Sequence, residues 1–191
     1  MAMRLSEVHP ALVHFPIALL PVAVGADALG LMRGSRELHA VGRVGIVLAA
    51  CSAALAGVFG FIAQETVDFD REARPILQTH RTLNIVALGV VTAMAISRVA
   101  RKRPTRGYLI AGLAAVATVS VSAYLGGKLV YSHGVGVAKA RGIDPSDPTV
   151  FPKPERRAAK EAIRDLGLGV AHAARDMAHG DWLPAFGRRS L

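Results

Sequence analysis

Four hydrophobic stretches, each long enough to cross a lipid bilayer, constrain the fold of this chain more than any other feature of its sequence. A membrane-spanning helix needs about 20 apolar residues, because the hydrocarbon core is about 30 Å thick and a helix rises about 1.5 Å per residue. The chain of 191 residues is 52% hydrophobic and 19% charged, which is too apolar for a water-soluble domain. The predicted fold class is therefore all-α, a polytopic bundle of four transmembrane helices with an extramembrane amphipathic C-terminal helix. The predicted spans are residues 10–32, 41–63, 80–100 and 107–131.

Lysine and arginine residues in the short connections predict how the spans cross the membrane, since basic loops resist translocation. The loop of residues 64–79 mixes acidic and basic residues, so it is predicted to lie on the outer side of the inner (plasma) membrane. Both termini are then extracytoplasmic. The first stretch is too long for a cleaved signal peptide and is expected to stay in the protein. The residues that place two loops in the cytoplasm are Arg33, Arg36 and Arg43 in one loop and Arg98, Arg101, Lys102, Arg103 and Arg106 in the other.

Histidine recurs at the outer ends of the predicted spans. The first span carries two histidines where it enters, the third begins with one, and one follows the fourth, so the topology predicts four imidazoles at a similar depth. Asn84 follows His80 by one helical turn on the same face, where its amide can bond an imidazole or a ligand. His39 is alone at the inner side, and His172 and His179 belong to the tail. The predicted histidine layer consists of His9, His14, His80 and His133.

This layer of imidazoles fits two classes of function. In the first, two histidines on different helices bind haem b or another transition metal near the outer face, and the chain is a redox-associated membrane subunit that exchanges electrons with a quinone or a partner protein. In the second, the histidines are structural, and the chain is a non-catalytic scaffold or small transport subunit. His14 lies inside its span and is predicted to face the bundle, which favours the first class. The aromatic content of only 5% favours the second, because it leaves little to line a porphyrin pocket.

No catalytic motif accompanies the histidines. The sequence has no HExxH, CxxC or CxxCH pattern, so metal or haem binding rests on the histidine layer alone, and enzyme activity is left open. Cys51 is the only cysteine, so an intrachain disulfide is excluded. The net charge of +9 does not indicate nucleic-acid binding, because the basic residues cluster beside the spans. Asp27 lies inside the first span and is predicted either to face inward or to reach the interface near a basic residue, as a structural pair rather than a proton relay. The nearby basic residues are Arg33, Arg36 and Arg43.

The C-terminal region is predicted to form two segments after a transmembrane domain of residues 1–138. Residues 139–154 are rich in Gly and Pro and are typical of a linker, and residues 155–191 form an amphipathic helical tail. The tail is expected to lie on the lipid surface or to dock on a partner. Association with further copies or other subunits is left open. The apolar face comprises Ile163, Leu166, Val170, Ala173 or Ala174, and Met177, and it is followed by Trp182, Leu183 and Phe186.

Three motifs resemble a bacterial membrane family called domain of unknown function 2231 (DUF2231). They are His9-Pro10-x-x-Val13-His14-Phe15-Pro16-Ile17, His80 with Asn84, and Gly126-Gly127-x-Leu129-Val130-Tyr131 followed by Gly134-Val135-Gly136-Val137. The resemblance covers about residues 8–138 and implies a four-span bundle without a settled activity. Some relatives are fused to a Rieske iron-sulfur domain, which implies that members of the family are associated with redox proteins. This chain has no such centre, since a Rieske cluster needs two cysteines.

Overall fold

The four predicted spans are helices in the computed structural model, which describes residues 3–137, 148–151 and 153–187. Each is apolar and long enough to cross a membrane, which confirms the predicted all-α, four-span architecture. The spans begin and end within a few residues of their predicted limits, except that the third begins earlier. In chain order the elements are β1 (Met3–Arg4), a 3₁₀ turn (Leu5–Glu7), α1 (Val8–Leu12), α2 (His14–Arg33), α3 (Arg36–Thr66), α4 (Ala73–Ala100), α5 (Arg106–His133), β2 (Thr149–Phe151), α6 (Ala158–Ala178) and α7 (Pro184–Gly187).

The first span is interrupted at Val13, between α1 and α2. Proline has no backbone N–H, so Pro16 cannot donate to the carbonyl of Leu12, and its ring crowds the preceding turn. Pro21 lies inside α2, where a second helical hydrogen bond is missing. The break at Val13 agrees with the distortion that two prolines in one span predict.

The chain divides into two compact units, and each long span contributes to both. We call them unit 1 (Met1–Ala11, Ala56–Leu83 and Ser122–Leu191) and unit 2 (Leu12–Leu55 and Asn84–Val121). Their boundaries fall within the long helices. Each unit has its own apolar core and its own group of buried polar side chains.

Unit 2 is built from α2, the first part of α3, the second part of α4 and the first part of α5. Its tight connection between α2 and α3 uses Gly34, whose φ of 65° is a left-handed conformation that favours glycine. The hydroxyl of Ser35 then accepts a bond from the backbone N–H of Leu38 at 3.2 Å. The core consists of Leu20, Ala23, Val24, Ile46, Ala49, Val91, Met94, Ala95, Tyr108 and Ala115.

Unit 1 combines the other parts of the spans with the C-terminal elements. Strands β1 and β2 pair antiparallel, and the backbone N–H of Leu5 donates to the carbonyl of Pro148 at 3.1 Å. The predicted linker therefore contains a short strand, and its residues 139–147 lie outside the described part of the chain. The apolar core comprises Ala73, Ile76, Leu125 and Leu129.

The predicted tail helix is confirmed as α6, although it begins at Ala158, three residues after the predicted start. It belongs to unit 1, so the tail packs on the same compact unit as the span ends. The side of α6 that packs is small or polar, whereas Ile163 and Val170 of the predicted apolar face stay exposed. The buried residues of α6 are Ala158, Asp165, Gly169 and Ala173.

Candidate functional site

His9 joins two helices of unit 1 through its imidazole. Its Nδ1 lies 2.8 Å from the carbonyl oxygen of Ala56 on α3. A carbonyl can only accept, so Nδ1 carries the proton and donates it. Gly60, one turn further along α3, makes room for the ring, because a Cβ there would lie 3.0 Å from the Cε1 and Nδ1 atoms of His9.

His80 is held in the same manner between α4 and α5. Its Nδ1 lies 2.8 Å from the carbonyl oxygen of Ser122, a buried residue whose hydroxyl also lies 3.0 Å from Nδ1. Gly126 lies one turn beyond Ser122, and a Cβ at that position would lie 3.1 Å from the Cε1 of His80. Both imidazoles therefore rest against a glycine and donate to a carbonyl of a neighbouring helix.

The two imidazoles form a pair. Their ring centres are 6.5 Å apart, and their planes are almost perpendicular, at 86°. Because Nδ1 holds the proton in each ring, Nε2 carries the lone pair in each. Histidines that bind metals usually donate one ring nitrogen to a carbonyl or carboxylate and bind the metal through the other. The pair can therefore accept hydrogen bonds or ligate a metal ion.

The other histidines of the predicted layer have different surroundings. His14 is exposed, so the prediction that it faces the bundle interior is wrong. His14 is the first residue of α2, directly after Val13. The His133 Nδ1 lies 3.4 Å from an oxygen of Asp70. Asn84 follows His80 by one turn of α4 and is partly buried, as expected from the helical spacing.

The described residues contain no group of three or more His, Cys, Asp or Glu side chains that could hold a metal ion. The four predicted ligands thus do not form one protein-only cluster there. His9 and His80 are the two that the structure brings together.

Asp70 lies in the loop before α4, and its carboxylate accepts a hydrogen bond from the first residue of that helix. The backbone N–H of Ala73 donates to the Asp70 carboxylate at 2.6 Å. This hydrogen bond, helped by the nearby His133, lowers the pKa of Asp70 below its usual value of 3.8. Asp70 therefore stabilises the start of α4 in its ionised form.

A second polar group lies in unit 2, around Asp27. Asp27 is fully buried and Arg98 is 1% exposed. Arg98 donates from Nε to Oδ2 of Asp27 at 2.9 Å and from Nη2 to Oδ1 at 2.8 Å, which makes a two-bond pair. The same Nη2 donates to the carbonyl of His39 at 2.9 Å, and Nη1 donates to the carbonyl of Arg101 at 2.8 Å. We call Asp27, Arg98 and His39 the charged cluster.

The charged cluster corrects one prediction. Asp27 faces inward, which was one of the two alternatives, but its partner is Arg98, not Arg33, Arg36 or Arg43, which are all exposed. The Nδ1 of His39 lies 3.3 Å from Oδ1 of Asp27. A signal for Arg98 was present: it stands among apolar residues inside the span, unlike the arginines of the following loop.

Two glycines and an aromatic ring enclose the charged cluster. A Cβ on Gly42 would overlap the carboxyl group of Asp27, and one on Gly30 would lie 2.7 Å from Nδ1 of His39. The guanidinium of Arg98 lies 5.9 Å from the ring centre of Tyr108, a cation–π distance. The carboxylate and the guanidinium are paired with each other, and the surrounding residues pack closely on them. The cluster is therefore suited to holding helices together rather than to binding a ligand.

Comparisons with curated proteins and with solved structures gave no match. A family model described as "Predicted membrane protein (DUF2231)" matches residues 6–139, a range that includes all four spans and both histidines of the pair. The chain therefore belongs to the DUF2231 family of predicted membrane proteins.

Proposed function

We propose that this membrane protein is a redox-associated subunit in which His9 and His80 supply two imidazole ligands to one transition metal, with haem b as the favoured form. The observation that carries the proposal is that both Nδ1 atoms donate to backbone carbonyls at 2.8 Å. This bonding fixes the tautomer that leaves a lone pair on each Nε2. The ring centres of the two imidazoles lie 6.5 Å apart, so both side chains belong to one candidate site.

The number of ligands favours haem iron over a bare ion. A structural metal site usually has four protein ligands and a catalytic one three, but the described residues hold no such group. Haem supplies four nitrogen ligands of its own, so the protein would have to add only one or two, and these are often histidines. When bound, haem would supply one-electron exchange. His9 and His80 would hold it between helices, and a quinone or a redox partner protein would be the exchange partner.

The sidedness of the site belongs to the same proposal. Arg98 is buried and does not count as a loop residue. Four exposed basic residues still lie in the α4–α5 connection and predict that it is cytoplasmic: Arg101, Lys102, Arg103 and Arg106. We place this connection in the cytoplasm and the Asp70 loop outside the inner membrane. A reporter fused after Arg103 should be cytoplasmic and one fused after Asp70 external; the reverse pair of results would contradict this orientation.

Spectroscopy of the purified full-length protein tests the cofactor. Protein from cells supplied with haem and metals should show a Soret band, or a stoichiometric metal without one if the ligand is a bare ion. His80→Ala and His9→Gln should abolish either signal, since a glutamine amide can still donate to the Ala56 carbonyl but lacks an imidazole nitrogen. His179→Ala, at an exposed position, is the control and should change nothing.

The alternative is a scaffold or small transport subunit in which the histidines are structural. One observation favours it: His9 links α1 to α3, and His80 links α4 to α5, so each ring ties two helices together without any cofactor. Colourless and metal-free protein whose stability falls in the same two variants would support this alternative and contradict the redox proposal.

A further inference from the structure

The helix α6 is docked on the spans by its backbone and by small residues. Gln64 of α3 donates from Nε2 to the carbonyl of Gly169 at 3.0 Å. A Cβ on Gly169 would overlap the carbonyl of Phe61, so only glycine allows this approach. Ala158 and Ala173 are buried on the same side. The contact between α6 and α3 is thus made at Gly169 and not by the large apolar side chains of α6.

The remaining contacts place α6 beside the ends of two spans. His172 lies 2.8 Å from Glu65, which is next to the last residue of α3. Asp176 pairs with Arg81 in the first third of α4, and the backbone N–H of Ala185 donates to Thr79 at 2.9 Å. Since these residues lie near the ends of transmembrane helices, α6 lies at the depth where hydrocarbon gives way to headgroups.

An apolar flank of α6 lies beside the docked side, and the described part of the chain covers it only in part. Ile163 is 73% exposed and Val170 is 47% exposed. Leu166 and Met177 fall on the same flank by helical spacing and are half-buried. The exposed Trp182, Leu183 and Phe186 follow α6. We define the apolar flank as Ile163, Leu166, Val170 and Met177.

We propose that the apolar flank of α6 and Trp182 contact the lipid of the same membrane that holds the four spans. Apolar side chains beside the ends of membrane helices reach the boundary between headgroups and acyl chains, where tryptophan is enriched. Residues 155–191 contain seven basic and five acidic residues, so their net charge is only +2. The exposed apolar side chains, rather than this small charge, supply the contact, which does not require anionic lipid.

Trp182 provides the test, because it is the only tryptophan in the chain. Full-length protein is reconstituted into vesicles of zwitterionic lipid with brominated acyl chains, and tryptophan emission is measured. We expect blue-shifted emission that the brominated chains quench strongly and aqueous iodide quenches weakly. The same quenching should occur in vesicles with anionic lipid and at high salt.

Matched variants locate the contact. Ile163→Glu with Val170→Glu should at least halve the bromolipid quenching, because both charges fall on the apolar flank. Ala171→Glu places the same side chain at an exposed position on another side of α6 and should leave the quenching unchanged. Unfolding measured for each variant verifies that the spans stay folded.

Three results would overturn the proposal. Strong iodide quenching without bromolipid quenching would place Trp182 in water. Protection from both quenchers would mean that protein covers it, either a partner or a second copy of the chain. Quenching that needs anionic lipid and disappears at high salt would assign the contact to the basic residues instead of the apolar flank.

Discussion

The two units bury polar side chains in opposite ways. In unit 2, the charged cluster joins a carboxylate to a guanidinium by two hydrogen bonds, and Arg98 also donates to two backbone carbonyls. In unit 1, His9 and His80 each use one ring nitrogen to bond a carbonyl, and neither of them faces a charged partner at that nitrogen. Both groups lie within membrane spans, where an unpaired polar group is costly.

This difference separates structure from candidate function. Removing one member of a buried ion pair strands a charge, so the charged cluster should be sensitive to any change that leaves its partner behind. A neutral imidazole that donates one bond loses much less when it is replaced. Substitutions of the histidine pair in unit 1 should therefore cost less stability than substitutions of the charged cluster in unit 2. The following predictions compare the two units directly.

The largest effect is expected for Asp27→Ala in unit 2. The substitution leaves the Arg98 guanidinium buried without its carboxylate, so stability should fall by about 3–5 kcal/mol, the usual cost of breaking a buried pair. The measurement is unfolding of the purified protein in mild detergent as sodium dodecyl sulfate is added. Arg33→Ala, at the exposed end of the same helix, should change stability by less than about 0.5 kcal/mol.

A double variant tests the reason for that loss. Asp27→Leu combined with Arg98→Met removes both charges and should recover a large part of the stability lost in Asp27→Ala. If the double variant were as unstable as the sum of its two single variants, the charges would not be coupled, and our description of the cluster would be wrong.

A smaller loss is expected for Gly42→Ala. The added Cβ overlaps the Asp27 carboxyl group, and overpacking of this kind costs about 1–3 kcal/mol. Gly25→Ala is the matched control, because a Cβ there meets nothing within 4 Å. Alanine is the better helix former by about 1 kcal/mol, so the control should be neutral or stabilising. Equal losses in both variants, measured by the same detergent unfolding, would argue against a tight cluster.

In unit 1, His9→Gln should lower stability by no more than about 1 kcal/mol, because the glutamine amide can still donate to the Ala56 carbonyl and only one neutral hydrogen bond is at stake. The same variant is expected to abolish cofactor binding. The loss of the cofactor should therefore be large while the loss of stability stays small. A loss as large as that of Asp27→Ala would remove the contrast between the units and favour a structural role for the histidine pair.

The smallest effect is a pH dependence at Asp70. Its pKa is lowered in the folded protein, chiefly by the Ala73 N–H, so its contribution is present above the unfolded pKa of about 3.8 and is lost as the pH falls through the lower folded pKa. Asp70→Asn should therefore be slightly less stable than the wild type at pH 6, and the gap should close toward pH 3. The thermal midpoint measured across this range tests the sign.

Asp68→Asn, a change of the same charge in the same exposed loop, is the control and should change stability by less than about 0.5 kcal/mol. A gap at Asp70 that widens on acidification would contradict the hydrogen bond to Ala73.

The histidine pair shows how far sequence reasoning reached into the site. The predicted topology placed histidines of different spans at one depth, and His9 and His80 do lie side by side. The same reasoning failed for His14, whose side chain is exposed, because depth along a span does not fix the direction in which a ring points. Ser122 and Ala56 were not anticipated as partners, since they contribute backbone carbonyls that carry no residue-specific signal.

The sequence by itself determined the four spans, the amphipathic tail and the family, because hydropathy, helical periodicity and short motifs are local along the chain. Only the tertiary structure decided the partners. Asp27 and Arg98 are 71 residues apart, and they meet because the rotation of each helix and the close approach at Gly42 bring them together. Likewise, α6 docks through Gly169 rather than through its large apolar residues, because backbone contact with α3 requires the smallest side chain at that point. Such choices depend on how whole helices fit together, which no local pattern encodes.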